Sequence, residues 1–458
     1  MNIPVGKVRK SKKNRFERVV SWMTRSQFRA SAALLLIGFF ASFWWFFPTF
    51  SADLMAVWLA GTFLEMGRPD QVYAEATDFF LMYPPSEWRP FMQETYEYTG
   101  PIYPFLYPPL WAKLAQLTAG ANFWVVTVYA LFINAGLQMM IVLLAWRAAR
   151  PARISPVLFM ALGIFFLLGT HIGTISLQQN QPQIFVSFLL VLAIERARHN
   201  ADIAAGMALA LAASIKLYPA FFVIFWIVSG NWRAVTSFAI VGATLGAISV
   251  VWAGWPMHEL FLEQVSLISN SVLMTAISFN LDSAIAQLFF MNNGLVWIEA
   301  LETPFLELEG DDGGPGWHSM VRPTLWKILS LSLLLLVLLA SAVAFKRADH
   351  DTRHAIIWPM GLTAVAIFSP LTWAYYFIPS VAFAPIIIDR LGPVRGTILW
   401  LSTIILIFGP FVDFYRLTEI WEDLDVFVYQ WAGFLSFLLM VYGFWQASRV
   451  ARPDETQS

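Results

Sequence analysis

Residues 30–50 read ASAALLLIGFFASFWWFFPTF, an uncharged run preceded by the basic residues Lys7, Arg9, Lys10, Lys12, Lys13, Arg15 and Arg18. A helix needs about 20 mostly apolar residues to cross a bilayer, and flanking Lys and Arg stay on the cytoplasmic side. The stretch predicts a first membrane span with a cytoplasmic amino end. Its apolar core exceeds that of a cleaved signal peptide, so a retained anchor is expected, although Ser51 and Ala52 offer the small residues of a cleavage site.

The rest of the chain extends this reading. Of 458 residues, 58% are apolar and 13% charged, with 40 Phe and 21 Trp, and the mean hydropathy is +0.62. Soluble domains carry about twice that charge. The near balance of 29 basic and 30 acidic residues excludes the basic surplus of a nucleic-acid binder. Without cysteine there is no disulfide framework, thiolate metal site or thiol nucleophile.

Apolar runs predict further spans near 121–146, 154–173, 178–194, 202–215, 217–230, 234–254, 324–345, 355–370, 373–388, 396–413 and 426–447. The expected fold is an all-α polytopic membrane protein, a bundle of about 12 transmembrane helices. The short runs 202–215 and 217–230 could instead be a kinked pair or a re-entrant segment. Alternation puts Arg147/Arg150/Arg153, Arg196/Arg198, Arg233, Lys346/Arg347/Arg353, Arg390/Arg395 and Arg449/Arg452 on the amino-terminal side, as the positive-inside rule requires. Segments 51–120, 255–323 and 414–425 fall on the opposite side and are rich in Asp and Glu. Both termini are therefore expected in the cytoplasm, with the chain spanning the inner (plasma) membrane many times. It divides into a basic tail (1–29), a membrane domain (30–447) and a short tail (448–458).

Five polar elements fall on the outer side. Asp53 directly follows the first span, where a carboxylate could serve as a general base or merely start a helix. In residues 103–110, Tyr103 and Tyr107 stand among prolines that forbid a regular helix. Irregular backbone at that depth lines a wet cavity or forms an aromatic-belt turn. Gln178, Gln179, Asn180, Gln181 and Gln183 open an apolar span, as a polar cavity wall or as helix-to-helix glue. Lys216 stands where cations are scarce, so it either snorkels or meets an anion such as phosphate. Residues 369–376, with Ser369, Thr372, Trp373, Tyr375 and Tyr376, offer the hydroxyls and aromatic faces of a sugar cleft or of a girdle.

Two other features are discounted. His350 and His354 have metal-ligand spacing but lack a third ligand and are read as a solvated turn. The acidic run Glu307–Asp312 lacks the ordered spacing of a calcium loop, and Gly310–Gly316 reads as flexible.

In this order the five elements resemble glycosyltransferase family 87, polyprenol-phosphate-sugar-dependent enzymes of the polytopic GT-C fold. The resemblance runs from about Asp53 to Tyr376. Asp53 matches an acidic residue after the first span, and Tyr107-Pro108-Pro109 a Tyr-Pro-Pro turn. Asn180-Gln181 stand for a Gly-Gln pair, and Lys216 and Pro219 for Lys-x-x-Pro. Ser369, Pro370, Trp373 and Tyr375-Tyr376 match Ser-Pro-x-x-Trp followed by His or Tyr. Asn280 and Ser283 match an outer Asn-x-x-Ser. Asn180 departs from glycine, and Tyr375 stands where histidine is common, so no imidazole role carries over there. The resemblance implies a polyprenyl-phosphate-sugar donor, with mannose or a related hexose transferred to a glycan or glycolipid acceptor. Asp53 would be the catalytic base, with Tyr107, Gln181, Lys216, Trp373, Tyr376 and Asn280 binding substrate. No metal or other cofactor is expected. The competing readings are a twelve-span secondary transporter, whose polar residues belong near the midplane, and a non-catalytic envelope assembly protein.

Overall fold

The computed structural model describes residues 15–47, 51–75, 80, 82–275, 277–291, 318–408 and 422–450. The expected acidic run and glycine-rich segment at 307–316 lie outside these residues, as does most of 414–425.

The chain is mostly helical. The first helix, α1 (Arg15–Trp45), carries the opening apolar run. It is followed by α2 (Ala52–Glu65), α3 (Trp88–Tyr96), α4 (Pro109–Ala115) and α5 (Phe123–Ala149). Next come α6 (Pro156–Leu168), α7 (His171–Gln178), α8 (Gln183–Arg198), α9 (Asp202–Ile215), α10 (Val223–Ser229), α11 (Trp232–Ala253) and α12 (Trp255–Ser269). The strands β1 (Ser271–Met274) and β2 (His318–Val321) pair antiparallel around α13 (Leu281–Met291). The chain then forms α14 (Thr324–Arg347), α15 (Trp358–Phe368), α16 (Ala374–Leu391, from a 3₁₀ turn onward), α17 (Pro393–Ile405) and α18 (Glu422–Ser448).

Among the described residues, six helical stretches are long and apolar enough to cross a membrane: Arg25–Trp45, α5, α11, α14, α16 and Val428–Ser448. Shorter apolar helices include α6, α9, α17 and the Tyr218–Ser229 segment. The run expected at 154–173 divides because the chain turns at Gly169, whose N–H closes on Phe165 O, and restarts at His171. The run expected at 178–194 begins as a helix only at Gln183, because Asn180 adopts φ +45°. The outer segment 255–323, read as loop, holds α12, the strand pair and α13.

Packing separates central from peripheral helices. Within its apolar window, α16 is 89% buried and α11 only 11%. Apolar side chains of α11 and α14 such as Val251 and Leu336 face outward, the arrangement of a surface that meets lipid rather than water. Helices α2 and α4 approach closely at Gly61, where an added Cβ would meet the Ala115 carbonyl carbon at 2.4 Å.

Charged groups gather at one end of the bundle. Glu195 is fully buried and accepts from Arg147 Nε at 2.8 Å. Arg198, also buried, pairs with Asp351 and contacts His350 Nδ1 at 2.6 Å. Asp389 accepts from the Ile154 N–H at 3.1 Å. The 350–354 turn is thus docked rather than solvated: His354 is 5% exposed, with its ring edge-on to Phe345. Helix α8 runs about 24 Å from this end to the opposite one, where the uncharged amides, tyrosines and Lys216 collect.

Candidate active site

Helix α2 begins without a cap of its own, since the extended Ser51 makes no capping bond to it. The amide segment supplies one from 127 residues away: Gln179 Oε1 accepts from the Ala52 N–H at 3.0 Å. Ser51 Oγ donates to Gln178 O at 3.2 Å and accepts from Asn180 Nδ2 at 2.8 Å. Asn180 Oδ1 in turn accepts from Asn134 of α5 at 3.1 Å. Asn tolerates the left-handed backbone at position 180 better than most side chains, which accounts for its presence where the motif otherwise has glycine.

This frame delivers Asp53 to the mouth of a cavity. Its Oδ2 accepts from Gln181 Nε2 at 2.6 Å, and Gln181 Oε1 accepts from the Tyr107 hydroxyl at 2.7 Å. Tyr107 is fixed from behind, its carbonyl accepting from the Tyr73 hydroxyl at 2.8 Å. Pro108 and Pro109 end the irregular stretch and start α4, whose Trp111 indole donates to Ser214 O at 2.6 Å. That bond ties the tyrosine turn to the segment bearing Lys216.

Lys216 follows the last residue of α9 in an extended conformation. Its Nζ stands 4.6, 5.3 and 5.5 Å from the ring centroids of Tyr376, Tyr375 and Tyr107, and donates to the Tyr376 hydroxyl at 3.3 Å. Three aromatic faces stabilise an ammonium while leaving N–H groups available. Neighbouring Tyr218 accepts from Gln183 Nε2 at 2.7 Å.

The cavity, of about 380 Å³, is lined by Asp53, Tyr107, Gln181, Lys216, Trp373 and Tyr376 among others, a size that suits a small ligand. All five polar elements thereby share one wall. Asn280 is not on it. That residue is fully buried and caps α13, its Oδ1 accepting from the Ser283 N–H at 2.8 Å, while Ser283 Oγ donates to Leu273 O at 2.7 Å. The Asn-x-x-Ser pair is a helix start that steadies the 255–323 segment, which is tied to the site by the Ser278–Trp373 bridge and the Ala374 N–H to Ile277 O bond of 2.8 Å. Lining residues that went unread are Met82, Phe261, Val265, Ile268 and Ser269 of the outer segments, and Leu331 and Leu334 of α14.

Desolvation dominates the site's electrostatics. Burial pushes the Asp53 carboxyl up to about 7, against the opposing effects of Lys216 and the Gln181 hydrogen bond. Burial likewise draws the Lys216 ammonium down to about 7, opposed by Asp53. A carboxyl near neutrality is suited to taking up a proton, and a desolvated cation is most stable once an anion joins it. Among the described residues no group of three or more His, Cys, Asp or Glu is disposed to hold a metal ion.

The sequence profile of glycosyltransferase family 87 matches residues 105–370, more than half of the chain. The chain belongs to glycosyltransferase family 87. No curated protein matches it. In structure this family 87 chain is similar to ArnT from Cupriavidus metallidurans bound to undecaprenyl phosphate, at 12% identity and a TM-score of 0.33, covering 94% of this chain and 78% of ArnT. Apo ArnT from the same organism gives 11% identity and a TM-score of 0.32 at the same coverage. The family 87 match takes in Tyr107, Gln181, Lys216, Ser369 and Pro370. Asp53, Trp373 and Tyr376 lie beyond it and join the site by lining the same cavity, Asp53 bonded to Gln181 and Tyr376 to Lys216. The chain is a multi-pass membrane glycosyltransferase.

Proposed function

We propose that this glycosyltransferase takes its sugar, mannose or a related hexose, from a polyprenyl phosphate and passes it to a hydroxyl of a lipid-linked or cell-envelope glycan. The observation that carries the reading is the meeting of one carboxylate, Asp53, and one ammonium, Lys216, in a single cavity with partly apolar walls. The acceptor oxygen attacks the anomeric carbon while Asp53 removes its proton, and the bond from that carbon to the phosphate oxygen breaks. The departing polyprenyl phosphate gains a negative charge, which Lys216 and its N–H donors offset. Tyr107 and Gln181 hold the base, and Trp373 and Tyr376 shape the sugar and phosphate subsite.

The tail of such a donor needs an apolar exit. Leu217, Phe221 and Leu331 line the cavity and are 49%, 45% and 43% exposed, so its apolar wall continues onto the outer surface of the bundle. We place the site at the extracytoplasmic face of the inner membrane, both termini and the basic turns in the cytoplasm, and the membrane domain over 30–447 in about 12 crossings.

The test is transfer of labelled sugar by purified protein from undecaprenyl phosphate-linked mannose to envelope lipid acceptors, run beside flux of the same donor across proteoliposomes. Transfer that depends on Asp53 supports the proposal. Flux without transfer, unchanged by Asp53→Asn, overturns it in favour of a carrier.

A further inference from the structure

The cavity's polar groups are almost all engaged with protein. The Tyr107 hydroxyl donates to Gln181, that of Tyr376 accepts from Lys216, and that of Tyr218 accepts from Gln183. Ser369 and Ser269 both donate to carbonyls of their own helices, Val365 O and Ser266 O. Asp53 accepts from Gln181, and Gln179 accepts from Ala52. Among these lining groups the Tyr375 hydroxyl alone makes no hydrogen bond. Its oxygen opens onto the cavity, where a ligand hydroxyl can take the place of water as its partner.

Tyr375 is also unable to turn away. Its ring stacks between those of Trp373 and Tyr376, at centroid distances of 6.2 and 5.7 Å and interplanar angles of 19° and 25°. The backbone beneath it is pinned by Ala374 N–H to Ile277 O at 2.8 Å and Tyr376 N–H to Trp373 O at 2.9 Å. The side chain is only 5% exposed, so it belongs to the wall and not to the rim. A rigid, pre-oriented hydroxyl costs little entropy when it bonds a ligand and discriminates sharply between ligands that can and cannot return the bond.

We infer that the Tyr375 hydroxyl is a specificity-determining contact that reads a hydroxyl group of the transferred sugar. The inference rests on the glycosyl-transfer reading of the site. Under that reading Lys216 answers the phosphate charge and Asp53 the acceptor proton, which leaves the sugar's own hydroxyls as the ligand groups still unmatched. The aromatic cage gives the same assignment, because the ammonium already lies over the Tyr375 ring at 5.3 Å and needs nothing from its oxygen.

Tyr375→Phe keeps the ring and deletes only the oxygen. The experiment measures kcat/KM of wild type and Tyr375→Phe with undecaprenyl phosphate bearing mannose, glucose, galactose or arabinose, and the affinity of each protein for undecaprenyl phosphate without a sugar. The expected result is a loss of about tenfold in kcat/KM for the donor wild type prefers, with bare-lipid affinity and thermal unfolding unchanged. The inference is overturned if kcat/KM stays within about twofold of wild type, or if affinity for the bare lipid falls as far as that for the donor. Transfer from none of the four donors by wild type overturns the glycosyl-transfer reading itself and this inference with it. Loss of transfer in Asp53→Asn beside an unaffected Tyr375→Phe removes the inference alone.

Discussion

Gln181 and Asp53 stand 128 residues apart in the chain and share a hydrogen bond of 2.6 Å between side-chain amide and carboxylate. The bond aims the carboxylate oxygen, and its worth is greater than that of an exposed pair because the group is withdrawn from water. Each element of the site can be tested through it.

Asp53→Asn preserves the shape of the side chain and abolishes its basicity. Turnover is expected to fall about 10²- to 10⁴-fold while the unfolding temperature in detergent stays near that of wild type. Single-turnover transfer with saturating donor provides the measurement.

Gln181→Leu removes the donor to Asp53 and leaves the Tyr107 hydroxyl without its acceptor. Losing a hydrogen bond to a charged group costs about 1.5–3 kcal/mol, so the acceptor-side kcat/KM is expected to drop roughly 10- to 100-fold. Because that bond lowers the carboxyl's proton affinity, the acid limb of the pH profile should also move to higher pH.

The pH dependence follows from the two buried groups. As the proposed base, Asp53 must be a carboxylate, so with its pKa raised to about 7 the rate should fall as pH drops below that value. Lys216, proposed to meet the donor phosphate, does so as an ammonium, and with its pKa lowered to about 7 donor capture by free enzyme should weaken as pH rises. The profile of kcat/KM is expected to be a narrow bell near neutrality. In Lys216→Met, loss of the favourable charge should displace the acid limb upward, seen by titrating rate against pH at fixed ionic strength.

Away from the site, the buried ion pair of Arg322 Nη2 and Asp282 Oδ2, 2.9 Å apart, joins the end of β2 to α13. Arg322→Ala leaves a buried carboxylate without its cation and should destabilise the chain by about 3–5 kcal/mol, whereas Asp282→Leu with Arg322→Met should cost much less. Thermal unfolding of the three proteins in one detergent distinguishes the outcomes.

The polar elements were legible because each interrupts an apolar background: the amides at 178–183, Lys216 and the tyrosine-proline turn stand out wherever they end in space. Their convergence was expected from the family resemblance and not from any local signal, since nothing local relates Asp53 to Gln181 across 128 residues. Asn280 caps α13 and stands off the cavity wall, and sequence cannot separate the two roles because a helix cap and a substrate ligand use the same short polar side chain. Helix α12 went unnoticed inside an acidic segment, although Gly254, Pro256 at its first turn and the spacing of Met257, Phe261, Val265 and Ile268 carry the signature of a helix with one apolar face. Span counting fared less well. A run of apolar residues fixes neither a turn at Gly169 nor the left-handed Asn180, and both depend on tertiary bonds.

The cavity wall begins at Asp53 and is completed only at Tyr376. The Lys216–Tyr376 bond spans 160 residues, so a chain cut short before residue 374 lacks one whole face of the pocket.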